Sequence, residues 1–206
     1  AIGPRDRRAP HTVGVYANQD SYDSRVDPSD FGTDEFMHFC RLIGAQPYIT
    51  VNFGSSSPEL ARQWVEYCNG PGNSKWGARR AFNGHPESYN VKYWGVGNES
   101  WLSIEPGHST PEGYAIYFNQ FADAMRKADS GLQIVAVGDT LDSTGNWNET
   151  VARISGQHAD LLSIHYYYAL GFLSPFYTHH PVEFYRSVVA APIYVEQTLR
   201  ERIAKI

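Results

Sequence analysis

The residues of this chain best suited to chemistry stand side by side at Asn98-Glu99, where an amide and a carboxylate follow the run Val91-Lys92-Tyr93-Trp94-Gly95-Val96-Gly97. That run reads as a buried strand loosening into two glycines, and strand ends are where α/β enzymes keep their reactive groups. A regular strand points neighbouring side chains to opposite faces. Aiming both residues at one ligand therefore needs a bulge or bend, which Gly95 and Gly97 permit. The bland alternative is a buried strand followed by a polar turn, and the nonapeptide by itself leaves both open. The other polar residues at predicted strand ends are Asn52, Asp139 and His165-Tyr166-Tyr167-Tyr168. The eight histidines show no H-x-x-x-H or H-x-E pair on a helix, and His179-His180 falls in a loop, so no metal site is expected. A serine nucleophile lacks its G-x-S-x-G turn, and Ser55-Ser56-Ser57 reads as a loop ending in a helix cap. Carboxylate chemistry remains. A glutamate beside an asparagine, in a mouth rich in Tyr and Trp, suits glycosidic cleavage: the acid protonates the leaving oxygen, the amide holds a hydroxyl and the aromatics stack on the ring.

The elements that must position these residues alternate along the chain. Residues 1–32 are turn-rich and polar and read as loop. Thr33 looks like a helix cap, with Asp34 and Glu35 in the first turn and Phe36, Phe39, Cys40 and Ile43 as an apolar stripe ending at Gly44. A strand near 47–53 follows, then a helix capped by Ser57 and started by Pro58, carrying Ala61, Trp64, Val65 and Cys68. The Gly-, Pro- and Asn-rich passage 70–90 reads as a long, functional loop before the 91–97 strand. Ser109-Thr110-Pro111-Glu112 opens a strong amphipathic helix, a strand spans 132–138 with Asp139 as a turn residue, a weaker helix spans 148–158, and a strand spans 161–167. After a Pro- and aromatic-rich loop, Pro192 starts a final helix with Val195, Leu199 and Ile203 on one face. Apolar strands separated by amphipathic helices imply a parallel sheet. An open doubly wound sheet is disfavoured, because no glycine-rich phosphate fingerprint follows any strand. The expected fold is a partial (β/α)₈ TIM barrel, with four strands where a whole barrel has eight.

Composition narrows the partners. The 206 residues are 42% hydrophobic and 19% charged, an ordinary globular make-up with room for one core. A net charge of −5 without any Lys/Arg block argues against nucleic acid, and no apolar run approaches the roughly 20 residues of a membrane span. The two cysteines, Cys40 and Cys68, fall on apolar stripes and read as reduced core thiols, which fits a cytoplasmic setting. The chain opens Ala1-Ile2-Gly3-Pro4 without an initiator Met, so its start reads as internal.

Tyr93-Trp94-Gly95-Val96-Gly97-Asn98-Glu99 resembles the W-G-x-G-N-E acid/base motif of family 51 glycoside hydrolases, the α-L-arabinofuranosidases of the large retaining (β/α)₈ clan. The flanks resemble that family too, at Gly3-Pro4-Arg5, Phe31-Gly32-Thr33-Asp34-Glu35-Phe36, Val65-Glu66-Tyr67-Cys68-Asn69-Gly70 and Asn90-Val91-Lys92-Tyr93-Trp94. The Asn-Glu pair alone is shared widely in the clan, whereas Glu-Tyr-Cys-Asn-Gly together with Gly-Asn-Glu is much more specific.

The resemblance implies that Glu99 is the general acid/base, that Asn98 binds a sugar hydroxyl, and that His165 and Tyr167, matching an H-x-Y on the sixth strand, line the substrate site. It implies an arabinose-containing oligosaccharide or polysaccharide as substrate, no cofactor, and a parent protein whose homo-oligomeric state stays open. It also implies that residues 1–206 are an incomplete catalytic barrel, about strands three to six. The first strand, the nucleophile strand and the accessory β-sandwich then lie outside, and the piece is inactive alone. Glu196 falls within the final helix and does not replace the nucleophile. The alternatives are another retaining clan hydrolase, a β-xylosidase or endoglucanase, and a non-catalytic carbohydrate-binding barrel.

Overall fold

A computed structural model of the chain describes residues 31–140, 145–165 and 179–204. It also gives the backbone of two short strands, His11–Thr12 (β1) and Val26–Asp27 (β2). These two pair antiparallel within a stretch whose sequence carries only turn signals.

Helix α1 spans Thr33–Ile43. Its cap is Gly32 and not Thr33: the Gly32 N–H donates to the Glu35 carboxylate at 2.9 Å, so the third helical residue reaches back to the cap's backbone while glycine offers no side chain in return. Thr33 occupies the first helical position and its hydroxyl accepts the Trp64 indole N–H at 3.1 Å. Asp34 accepts the phenols of Tyr67 at 2.7 Å and Tyr89 at 2.8 Å. The buried side is Met37 and Cys40; Phe39 and Ile43, expected on it, are 49% and 59% exposed. The following strand, β3 (Tyr48–Val51), is an edge strand, and helix α1 reaches the rest of the protein through its first turn and the Met37–Cys40 side.

Helix α2 (Pro58–Asn69) starts as expected, with Ser57 accepting the Leu60 N–H, and buries Ala61, Val65, Tyr67 and Cys68. Both cysteines are free and buried, and burial pushes the Cys68 thiol up. The passage 70–90 is not an open loop, because it holds a helix, α3 (Lys75–Phe82), capped by Ser74. Its anchor is Arg80, fully buried, which donates to the carbonyls of Tyr67, Cys68, Gly70, His85 and Pro86 at 2.7–3.2 Å. Five backbone acceptors compensate one guanidinium, so the segment is a structural staple. The glycine and proline density hid a helix short enough to need no apolar stripe.

Strand β4 (Tyr93–Val96), helix α4 (Pro111–Ala128, capped by Thr110), strand β5 (Gln133–Thr140), helix α5 (Trp147–Ser155) and strand β6 (Leu161–His165) complete the alternation. The last helix, α6, runs Pro181–Ile203 and carries Pro192 inside it, so Pro192 is an interior residue and not the start. Proline lacks one helical hydrogen bond there, a cost that a long helix can absorb as a bend.

The four main strands lie in the order β3-β4-β5-β6, all parallel, with Ile49 opposite Trp94 and Trp94 opposite Ile134. Four successive βα units in one parallel sheet are part of a (β/α)₈ barrel. The outward face carries the core: Ile49, Val51, Trp94, Val96, Ile134 and Ala136 meet Val65, Phe118, Phe121 and Met125. Fully burying such a side chain is worth roughly 1.5–3 kcal/mol. Among the described residues the inward face is open in part, with Tyr48 48% and Leu161 46% exposed while Val135 and Val137 are buried.

Candidate active site

Parallel pairing brings the C-terminal ends of β3, β4, β5 and β6 to one edge, and the candidate residues sit there. At the end of β4 the backbone enters the left-handed region twice, at Gly97 (φ 84°) and at Glu99 (φ 43°). The Gly97 N–H donates to the Val51 carbonyl at 3.0 Å, and a Cβ at Gly97 would lie 2.9 Å from that of Phe53, so only glycine fits. Gly95 serves differently. It stays in the strand, and its missing side chain leaves room for the Tyr48 phenol and the Thr50 hydroxyl. The bend is therefore made by Gly97 and by Glu99 itself. A non-glycine residue held at positive φ costs of order 1–3 kcal/mol and persists where its surroundings over-determine it. Here they do: Leu102 N–H donates to the Glu99 carbonyl at 2.7 Å, and Ser109 N–H to the Ser100 carbonyl at 2.9 Å.

The outcome separates the two neighbours. Glu99 is 9% exposed, while Asn98 is exposed. The Glu99 carboxylate meets the imidazole of His165, the last residue of β6, with Oε1 2.7 Å from Nδ1. A strand-end residue two strands away thus reaches the same point.

Between them, β5 carries an irregularity. Val137 pairs with Ser163 but Thr140 pairs with His165, so β5 holds one extra residue around Gly138-Asp139. Side chains pair the backbone groups that the ladders leave open here, facing β4 at Val137 and around the bulge at Gly138-Asp139. The Val137 N–H donates to the Tyr114 phenol at 2.7 Å, and the Val137 carbonyl accepts the Trp147 indole at 2.8 Å. The Gly138 carbonyl accepts Trp101 Nε1 at 3.1 Å, and the Asp139 N–H donates to Asn148 Oδ1 at 2.8 Å. The Tyr114 phenol donates onward to the Val96 carbonyl at 2.8 Å, joining β4 to β5 directly below the site.

Of the expected site residues, then, Glu99 and His165 come together, Asn98 is exposed beside them, and Tyr167 lies outside the described residues with Tyr166 and Tyr168. Asn52 closes a local turn with Ser55 through two 2.9 Å hydrogen bonds. Asp139 is 5% exposed and inside β5, so it is a strand residue at a bulge and not a turn. Glu196 lies on α6, paired with Arg200 at 2.8 Å. No group of three or more His, Cys, Asp or Glu is assembled for a metal among the described residues. The supporting set of Tyr114, Trp101, Trp147 and Asn148 was not visible as such. Its one available signal was the polar tip that a buried Tyr or Trp must satisfy.

Four parallel βα units that gather their polar strand ends on one edge mark the chain as part of a (β/α)₈ barrel. Residues 1–182 match the α-L-arabinofuranosidase 1 domain, and the chain belongs to that family, the family 51 α-L-arabinofuranosidases. An arabinose-complexed α-L-arabinofuranosidase from Thermotoga maritima shares 37% identity and a TM-score of 0.71 over 81% of this chain and 33% of that one. Emericella nidulans α-L-arabinofuranosidase C is 35% identical over 137 residues, 66% of this chain and 26% of that protein. An intracellular exo-α-L-arabinofuranosidase of Bacteroides ovatus is 32% identical over 170 residues, 82% of this chain and 32% of that protein. The chain thus spans about a quarter to a third of the length of these relatives.

Proposed function

We propose that the whole protein is a retaining exo-α-L-arabinofuranosidase acting on arabinose-containing oligosaccharides or polysaccharides, with Glu99 as its general acid/base. The observation that carries this is the Glu99 carboxylate, buried at the end of β4 in a strained turn and held by His165 across the sheet. In the first step Glu99 gives its proton to the glycosidic oxygen as the bond from that oxygen to the anomeric carbon breaks, and a second carboxylate takes the anomeric carbon. In the second step Glu99 takes a proton from water, whose oxygen displaces that carboxylate. The exposed amide of Asn98 is available for a sugar hydroxyl, and Tyr167 completes the set by family resemblance.

The reading includes a domain proposal: residues 1–206 are about strands three to six of the catalytic barrel, and the nucleophile comes from a further strand. Its support is the coverage of the relatives and the partly open inward face of the sheet. On this reading the 206 residues alone neither turn over nor stay soluble, and a cooperative, soluble unfolding transition of the isolated chain would count against it. A cytoplasmic setting is proposed from the two free, buried thiols and from the B. ovatus relative being an intracellular enzyme. The deciding assay is a panel of aryl glycosides on the full-length protein. Cleavage of the α-L-arabinofuranoside with retained anomeric configuration is expected. Preference for a β-D-xyloside or β-D-glucoside, or binding without cleavage, would overturn it.

A further inference from the structure

We infer that His165 is a positioning residue for Glu99 and not a substrate ligand: its Nδ1–H holds Glu99 Oε1, which leaves Oε2 as the oxygen that delivers and recovers the catalytic proton. The inference rests on the reading of Glu99 as the acid/base.

The Glu99 carboxylate has two oxygens, and one is engaged. Oε1 lies 2.7 Å from His165 Nδ1, the short distance of a charge-assisted hydrogen bond. Glu99 passes through a protonated and an ionised state in each turnover, and the direction of this bond must suit both. An Nδ1–H donor does so, because Oε1 accepts as the carbonyl oxygen of the acid and as an oxygen of the carboxylate. An Nδ1 acceptor bonds only the protonated acid and competes for the proton that belongs to the leaving group. The donor tautomer therefore keeps the carboxyl plane fixed through the cycle, with the proton cycling on Oε2 alone: Oε2–H breaks as the leaving oxygen gains the proton, and Oε2–H re-forms as water loses one. His165 transfers no proton in this scheme.

The chain builds for this geometry. Glu99 sits at φ 43°, and His165 follows Leu161 and Ser163 at two-residue spacing along β6, on the inward face that Leu161 shares. Its place as the last residue of β6 sets the imidazole at the height of the carboxylate.

Asparagine can place an amide N–H near the Nδ1 position, whereas glutamine extends past it toward Nε2. In the full-length protein, His165→Ala and His165→Gln should lose about 10²-fold in kcat/KM on substrates with poor leaving groups, and under about 10-fold on dinitrophenyl arabinofuranoside, which needs little acid assistance. His165→Asn should recover most of the loss. KM should not rise in any of the three, and on the dinitrophenyl substrate it should fall with kcat wherever the second step, which also uses Glu99, is slowed. Equal losses on both leaving groups, a rise in KM alone, or better rescue by Gln than by Asn would overturn the positioning role. A readout independent of activity is the imidazole itself: in ¹⁵N-histidine-labelled protein, His165 should carry its proton on Nδ1, and a proton on Nε2 with bare Nδ1 would refute the assignment. If wild-type protein cleaves no arabinofuranoside, the functional reading fails and the tautomer measurement still decides this one.

Discussion

Tyr114→Phe removes one oxygen and nothing else, from a side chain that is fully buried. That oxygen accepts the Val137 N–H at 2.7 Å and donates to the Val96 carbonyl at 2.8 Å. Val96 is fully buried and Val137 is 3% exposed, so neither backbone group gains water in exchange. Each orphaned buried group costs about 1–3 kcal/mol, and the hydroxyl's own desolvation, no longer incurred, offsets part of the sum. The expected loss is about 3 kcal/mol. In the full-length protein, with a urea slope of about 3 kcal/mol/M, this moves the unfolding midpoint of the barrel down by about 1 M. Trp147 packs on Tyr114 with ring centroids 5.3 Å apart, so its fluorescence reports the transition locally. The amide proton of Val137 should lose its protection against hydrogen exchange at the same time. A midpoint within about 0.2 M of wild type, with the Val137 amide still protected, would refute the claim that the phenol stands in for a ladder bond between β4 and β5.

Gly138→Ala should disturb the same region from the other side. Its Cβ would run into the Ser163 carbonyl, a backbone atom that cannot rotate away, and would lie 3.0 Å from Leu162 Cγ. A cost of about 1–3 kcal/mol and a loss of about 10²-fold in kcat/KM are expected, and wild-type kinetics would show that displacing the Ser163 backbone does not reach His165 two residues on. Glu66→Gln tests an acid-sensitive contact at α3. Burial raises the pKa of Glu66, but the Trp76 N–H at 3.1 Å and Arg62 at 3.0 Å outweigh it and hold the carboxyl below 4.5. Its contribution is complete above that pH and is lost as the pH falls through the lowered value. Thermal stability of wild type should therefore fall more steeply than that of the variant below about pH 4.5, and parallel curves would count against it.

Much of the fold was legible because its signals are periodic. Apolar strands at 48–51, 93–96, 133–140 and 161–165, with amphipathic helices between them, require a covered parallel sheet, and the helix starts at Ser57-Pro58 and Thr110-Pro111 follow from local chemistry alone. What escaped depended on partners distant in sequence. Helix α3 is held by Arg80 reaching carbonyls 5 to 13 residues away, which no stripe records. Pro192 looked like a start because proline favours the first turn, yet α6 runs through it. The stripe on α1 marked Phe39 and Ile43 as apolar without saying that nothing among the described residues covers them. At the site, Glu99 was legible from its strand-end place and its motif, but its bond to His165 joins residues 66 positions apart on strands that are not neighbours, which no local pattern records.

The central claim is that Glu99 is the acid/base of an α-L-arabinofuranosidase, and the direct measurement is turnover of an arabinosyl oligosaccharide by the full-length protein and its Glu99→Ala variant. The account predicts that the variant, folded as judged by circular dichroism, loses about 10²–10⁴-fold in kcat/KM. Undiminished turnover by the variant would contradict it.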